Sequence, residues 1–349
     1  MTTAQTSPEV PKLLADRSLP KLPGVYRQHQ IIGVAIFAVA ACLILPRVVT
    51  SLSDQSLMNQ WTAYSIAAIG FYWIFGLAGR FAFCQTFMML LGGYISAWVT
   101  RELGPQWFLL GLVAAIAATA VFAALIGLAT ARTGEFYFAI ATLAVTEVGL
   151  IVFPKLTSLT GADGQTIGIS PPQIGGTVLL TGEDVFWLFI GLLTLVLVVA
   201  VLLERSPLRR DAIAARDNGP VARTAGVPVV KTQITLFALG SAAGGLSGAM
   251  IGHLTGTIST DSFGLSLSIG IFLMLLLGGS DSYWGPVLGA AFYVVIPQVL
   301  TSLQAYETIV YGGLLLVVVI LLPHGLIGVG RSVMVTGRHL WQRRTAASS

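Results

Sequence analysis

The sequence predicts an all-α, polytopic membrane protein of about ten transmembrane helices, on three observations. The first is composition: 55% of the 349 residues are hydrophobic and only 10% charged, with a mean hydropathy of +0.84. A soluble globular chain carries about 25% charged residues, so an ordinary soluble enzyme, a disordered chain and a nucleic-acid binder are excluded. The second is that the apolar residues gather in runs near the roughly 20 residues a helix needs to cross a bilayer core of about 30 Å. The third is that Lys and Arg fall mainly in alternate connections, as basic residues retained on the cytoplasmic side do.

In chain order, residues 1–28 form a polar arm holding Pro8, Pro11, Pro20 and Pro23 beside Lys12, Arg17, Lys21 and Arg27. It is too long and polar for a cleavable signal peptide and is read as cytoplasmic. Residues 29–330 form the transmembrane region, with expected spans at 29–49, 57–78, 81–99, 107–130, 136–153, 185–203, 232–256, 263–278, 285–300 and 307–322. The first is shortened by Pro46. The eighth covers only about 24 Å at 1.5 Å per residue, so a tilted or broken helix is expected there. Residues 331–349 are a cytoplasmic tail.

With the N-terminus inside, sixteen of the 19 basic residues lie on the inner face, against only Arg47, Arg101 and Lys155 outside. Both termini are then cytoplasmic, which requires an even number of crossings and agrees with ten. The 154–184 connection becomes the main external loop and the 204–231 connection the main cytoplasmic one. On this layout spans 2–5 and 7–10 have opposite topologies, as in inverted-repeat transporters.

Three local features stand above this background. Gly240, Gly244, Gly248, Gly252 and Gly256 recur every four residues, a ridge without side chains of the kind that lets membrane helices approach closely. Glu147 lies inside an apolar run, where a carboxylate is costly and marks a function or a helix-to-helix link. Beside it Ala139, Thr142, Thr146 and Gly149 form a small, partly polar stripe expected to face protein or water. The 204–231 connection is far longer than a plain linker. It contains a helix-like stretch at Leu208–Arg216, a break and helix cap at Asp217-Asn218-Gly219-Pro220, and a second short stretch at Val221–Ala225. That pattern reads as a docking platform, or as a basic surface against anionic headgroups of the lipid bilayer.

No catalytic constellation is visible, and no metal site is expected. The chain lacks Gly-x-x-x-x-Gly-Lys-Ser/Thr, His-Glu-x-x-His and Cys-x-x-Cys patterns. Its histidines, His29, His253, His324 and His339, are scattered, and Cys42 and Cys84 both sit in apolar runs as packed thiols. An enzyme is therefore not expected, nor any cofactor bound to this chain.

From about Trp73 to Gly328 the chain resembles the permease subunits of branched-chain amino-acid (hydrophobic amino-acid uptake) ABC importers, a family that includes urea and amide permeases. The resemblance rests on Gly134-Glu-Phe-Tyr-Phe-Ala-Ile-Ala-Thr-Leu-Ala-Val-Thr-Glu147, Thr160-Gly-Ala-Asp-Gly164, and Ser206-Pro-Leu-Arg-Arg followed by Ala214-Ala-Arg-Asp-Asn218, Ala222, Ala225-Gly226 and Lys231. Ala242-Ala-Gly-Gly-Leu-Ser-Gly-Ala249, Gly278-Gly-Ser-Asp-Ser-Tyr-Trp-Gly-Pro-Val-Leu-Gly-Ala290 and Leu322-Pro-His-Gly-Leu-Ile-Gly328 complete it in the same order.

The resemblance implies about ten helices in the bacterial cytoplasmic membrane, paired with a second permease subunit (a copy or a paralogue). Two ATP-binding cassette subunits would consume the ATP, and an extracytoplasmic solute-binding protein would deliver the solute. Carried onto this sequence, Arg216, Asp217 and Asn218, with Ala222 and Gly226, would form the ATPase coupling element. Glu147, Thr142 and Thr146 are the candidates for the translocation pathway or a gate. The expected cargo is a small solute, foremost a branched-chain amino acid. A urea, short-amide or aromatic-acid permease is the alternative, and an ion-coupled secondary transporter using Glu147 is the rival mechanism.

Overall fold

A computed structural model describes residues 52–160, 165–174, 177–179, 182–300 and Gly312. The polar arm, the expected spans at 29–49 and 307–322 and the C-terminal tail lie outside the described residues. Each of the eight spans expected between them contains a helix. Helix α1 is Leu52–Phe71, continued by a π-helical turn, Tyr72–Leu77. Then follow α2 (Gln85–Leu103), α3 (Phe108–Ala129), α4 (Glu135–Val152) and α5 (Gly182–Arg205). Two short helices come next, α6 (Pro207–Asp217) and α7 (Gly219–Thr224), before α8 (Val229–Thr255), α9 (Leu265–Gly278) and α10 (Trp284–Leu300).

Helix boundaries follow local chemistry. Gly104 at φ +103° and Gly279 at φ +105° close α2 and α9 in a backbone region that side chains disfavour. Pro105 follows the first of these stops, and Pro207 opens α6, where its missing N–H costs nothing. Among the described residues, five stretches are long and apolar enough to cross a membrane: Pro105–Ala129, Glu135–Lys155, Gly182–Arg205, Val229–Thr255 and Thr260–Gly278.

Helix α8 is the axis of the bundle, packed against α1, α2 and α3. In its most apolar window 72% of residues are buried, against 28% for α3 and 22% for α4, which lie at the periphery. The core is continuous through Ile66, Ile69, Phe87, Met88, Met89, Phe189, Leu236, Met250 and Ile271.

The 154–184 connection contains strands, which the sequence reading did not anticipate. Strand β1 (Gln165–Ile167) pairs antiparallel with β4 (Thr257–Ser259), in the register Thr166 to Ile258. The short strands β2 (Gln173–Ile174) and β3 (Thr177–Val178) pair with each other. The first pairing holds the connection against the C-terminal end of α8, opposite the end that carries α6 and α7. Ile258, 1% exposed, closes that junction: its Cδ1 fills the space that a Cβ on Gly93 or Gly252 would need.

Candidate functional site

The 204–231 connection folds as the sequence pattern dictates. Asn218, in extended backbone at φ −156°, ends α6, and its Oδ1 accepts a 3.2 Å hydrogen bond from the Val221 N–H to cap α7. Gly226 at φ +82° then reverses the chain toward α8. Ala215, Ala222 and Val229 bury one another in a small core separate from the main one. Residues this small let two short helices lie directly on the start of α8. Arg216, Asp217, Val221, Arg223, Thr224 and Gly226 are exposed around it. Beside α7 runs a groove of about 730 Å³, whose walls include Leu128, Val227, Val230 and Ile234 with Arg223 and Lys231 at its rim.

The faces of α4 are chemically distinct. Thr142 and Thr146 are fully buried and turn toward the irregular segment that separates α1 from α2. Thr142 Oγ1 accepts from the Phe83 N–H at 3.1 Å, and Thr146 Oγ1 donates to the Phe83 carbonyl at 3.3 Å. Ser268 Oγ of α9 donates to the same carbonyl at 2.9 Å. Backbone polar groups outside regular structure need partners when buried, and these hydroxyls supply them for Phe83. Gly149 completes the stripe, since a Cβ there would strike the Phe87 ring.

Glu147 does not share this buried face. It is exposed, on the outward stripe of Phe136, Ile140, Ala144 and Ile151. The exposed face of α3, by contrast, is aliphatic at Leu109, Val113, Val121, Leu125 and Leu128.

The five ridge glycines of α8 meet different partners. Gly240 and Gly70 face each other so closely that a Cβ on either would collide with the other's carbonyl oxygen. Gly244 lies against the Gln85 side chain, Gly248 against the Met89 backbone, and Gly252 against Ile258. Gly256 serves as the left-handed stop of the helix at φ +69°, where a Cβ would reach only ordinary contact with the Ile169 carbonyl oxygen. Gly245, outside the four-residue repeat, faces Thr119 and makes a backbone approach to Gly92.

Polar ties that the sequence reading missed hold the same helices. Gln85 Nε2 donates to the carbonyls of Gly240 (3.0 Å) and Ala67 (3.3 Å), and Ser247 Oγ donates to the Ala63 carbonyl at 2.7 Å. His253 is buried between the Ser96 hydroxyl at 2.9 Å and the Ser170 carbonyl at 2.8 Å. In the segment between α1 and α2, Arg80 lies 4.7 Å from the Phe138 ring centroid. Burial lowers its guanidinium below the usual arginine range, and the charge of Glu135 opposes that shift. Among the described residues no three His, Cys, Asp or Glu side chains converge as a metal site would require.

The described residues form a bundle of apolar helices with a strand-bearing connection at one end and a helical connector at the other. The chain belongs to the family described as branched-chain amino acid transport system / permease component, which matches residues 55–319. This is a transport family, not an enzyme family.

The chain is 26% identical over 339 residues to the high-affinity branched-chain amino acid transport system permease protein LivM of Escherichia coli (strain K12), covering 90% of this chain and 78% of that protein. It is 30% identical over 192 residues to the probable branched-chain amino acid transport permease protein LivM of Methanocaldococcus jannaschii, covering 54% of each. The high-affinity branched-chain amino acid transport system permease protein LivH of Salmonella typhimurium is 22% identical over 287 residues, 76% of this chain and 92% of its own length. No solved structure matches significantly.

Proposed function

We propose that this chain is the permease of an ABC importer that moves a branched-chain amino acid across the cytoplasmic membrane. The observation that carries the reading is the family match over residues 55–319, together with coverage of 90% of the chain by a relative named for that transport. The complex would contain a second permease, two ATPase subunits and an extracytoplasmic binding protein. ATP is consumed by the ATPase subunits, because this chain has no phosphate-binding loop, and it carries no cofactor of its own.

In this reading the α6–α7 connector faces the cytoplasm and docks on an ATPase through Arg216, Asp217, Asn218 and their neighbours. Support comes from the sixteen-to-three distribution of basic residues and from the folded, outward-facing surface of the connector. Ten spans with helices 2–5 and 7–10 as inverted repeats belong to the same proposal.

Glu147 is assigned to the translocation path or to the face that meets the second permease. A carboxylate on an outward stripe at membrane depth does not tolerate lipid tails and faces water or protein. Thr142 and Thr146 hold the adjoining wall in place through Phe83.

The test is uptake into proteoliposomes by the assembled complex, using labelled leucine, isoleucine and valine beside urea and acetamide, with and without ATP. ATP-dependent leucine uptake is expected. It should be lost, with hydrolysis continuing, in Arg216→Glu or Asp217→Arg. Urea or amide uptake without leucine uptake would transfer the substrate assignment, and uptake driven by an ion gradient without ATP would overturn the mechanism.

A further inference from the structure

Helix α1 ends in the π-helical turn Tyr72–Leu77, a widened backbone found mostly at functional positions. Its wide ladder runs on into the following segment: the Ala78 N–H donates to Trp73 O at 3.3 Å and the Arg80 N–H to Ile74 O at 3.1 Å. Two side-chain ties leave this one turn for the connector. Tyr72 Oη, on a residue 1% exposed, donates to Glu204 Oε1 at 2.6 Å, and Glu204 Oε2 lies 2.6 Å from Arg209 Nε. Four residues further along the turn, the Gly76 carbonyl accepts a 2.5 Å hydrogen bond from Arg216 Nη1.

Arg209 lies near the start of α6 and Arg216 near its end, so α6 is linked to the same six-residue turn at both ends, directly through Arg216 and, for Arg209, through Glu204 in the last turn of α5. The fit around the second tie is close. A Cβ on Gly76 would enter the Tyr72 ring, and a Cβ on Gly79, at φ +69°, would collide with the aliphatic stem of Arg216. Ser280, just past α9, brings its carbonyl to 3.1 Å from the same Gly76 position. The first tie is shielded, since the Glu204 side chain is only 9% exposed. The Tyr72–Glu204 contact is a charge-assisted hydrogen bond, strong and costly to break when buried, and the Glu204–Arg209 contact is an ion pair.

We propose that Tyr72, Glu204 and Arg209 are positioning residues for transport: they form the joint through which a displacement of the α6–α7 connector is passed into α1, the π-turn being the element that yields. The proposal rests on the reading of that connector as the ATPase platform. A bare surface connector would need only one attachment, and that attachment would not require a buried carboxylate shared between a tyrosine of α1 and an arginine of α6.

The experiment uses the complete complex, isolated through a tag on the ATPase subunit so that only assembled material is measured. Solute uptake and ATP hydrolysis are followed together for Tyr72→Phe and Glu204→Gln. Tyr72→Phe deletes only the hydroxyl. Glu204→Gln keeps an acceptor for Tyr72 and removes the ion pair. Hydrolysis should persist in both while uptake per ATP falls about fivefold or more, the usual lower range of coupling between sites. This ratio does not depend on folding yield, so a purely structural role would not move it.

Val221→Asp, on the exposed face of α7 away from the joint, tests the underlying reading separately by co-purification with the ATPase. If Val221→Asp prevents co-purification while both joint variants keep the wild-type ratio, the joint is wrong and the platform stands. If Val221→Asp assembles and transports normally, the platform reading fails with it.

Discussion

Replacing Gly248 with alanine tests whether close backbone packing holds the bundle together. The new methyl would collide with the Met89 carbonyl oxygen, carbonyl carbon and Cα, all well inside van der Waals contact. All three are backbone atoms, so no flexible side chain can move aside, and α8 must back away from α2. A radial gap of about 0.5–1 Å forfeits roughly a quarter to a half of a contact's dispersion energy, and overpacked cores lose about 1–3 kcal/mol. Alanine's better helix propensity returns about 1 kcal/mol, leaving a net loss on the order of 1–2 kcal/mol. Gly191 of α5 supplies the control, because a Cβ there meets nothing within 4 Å; Gly191→Ala should be neutral or slightly stabilising. Both variants would be melted in one detergent on a Cys42→Ser background, with the buried Cys84 thiol reacting with a dye as the bundle opens. Equal melting temperatures, or a lower one for Gly191→Ala, would refute the claim that position-specific backbone contact sets the cost.

Thr142→Val leaves the Phe83 N–H without its acceptor and should cost about 1–3 kcal/mol, whereas Thr142→Ser should melt near wild type; identical melts for the two would remove the clamp. Glu147→Gln and Glu147→Leu should both melt like the wild-type chain when purified alone, because the side chain is exposed. In the assembled complex Glu147→Gln should change the uptake rate, and an unchanged rate removes Glu147 from the pathway. Single cysteines at Thr224 and Thr157 should react with an impermeant thiol reagent in intact cells only at Thr157, and the reverse pattern would invert the membrane orientation.

What the sequence by itself determined is the membrane class and the positions of the described helices, because an apolar run long enough for a bilayer has few soluble alternatives. The connector was legible for a local reason: Pro207, Asn218 and Gly226 act on their own backbone, so the break between α6 and α7 and the reversal after it follow from residue type. The glycine ridge was legible as a feature, though its partners were not. Gly244 meets a glutamine, Gly248 a backbone and Gly256 only a distant carbonyl of Ile169, and Gly245 lies outside the repeat altogether.

The inward and outward faces were decided only by tertiary structure. In a bilayer the surroundings of a helix are as apolar as its neighbours, so hydrophobic periodicity no longer separates core from periphery. That is why Glu147 and the Thr142–Thr146 stripe, adjacent in sequence, proved to serve opposite faces of α4. The β1–β4 pairing, the Phe83 clamp and the link from Tyr72 to Glu204 and Arg209 join residues far apart in the chain. Each depends on distances that no local pattern encodes, and only the packing of the helices brings the partners within reach.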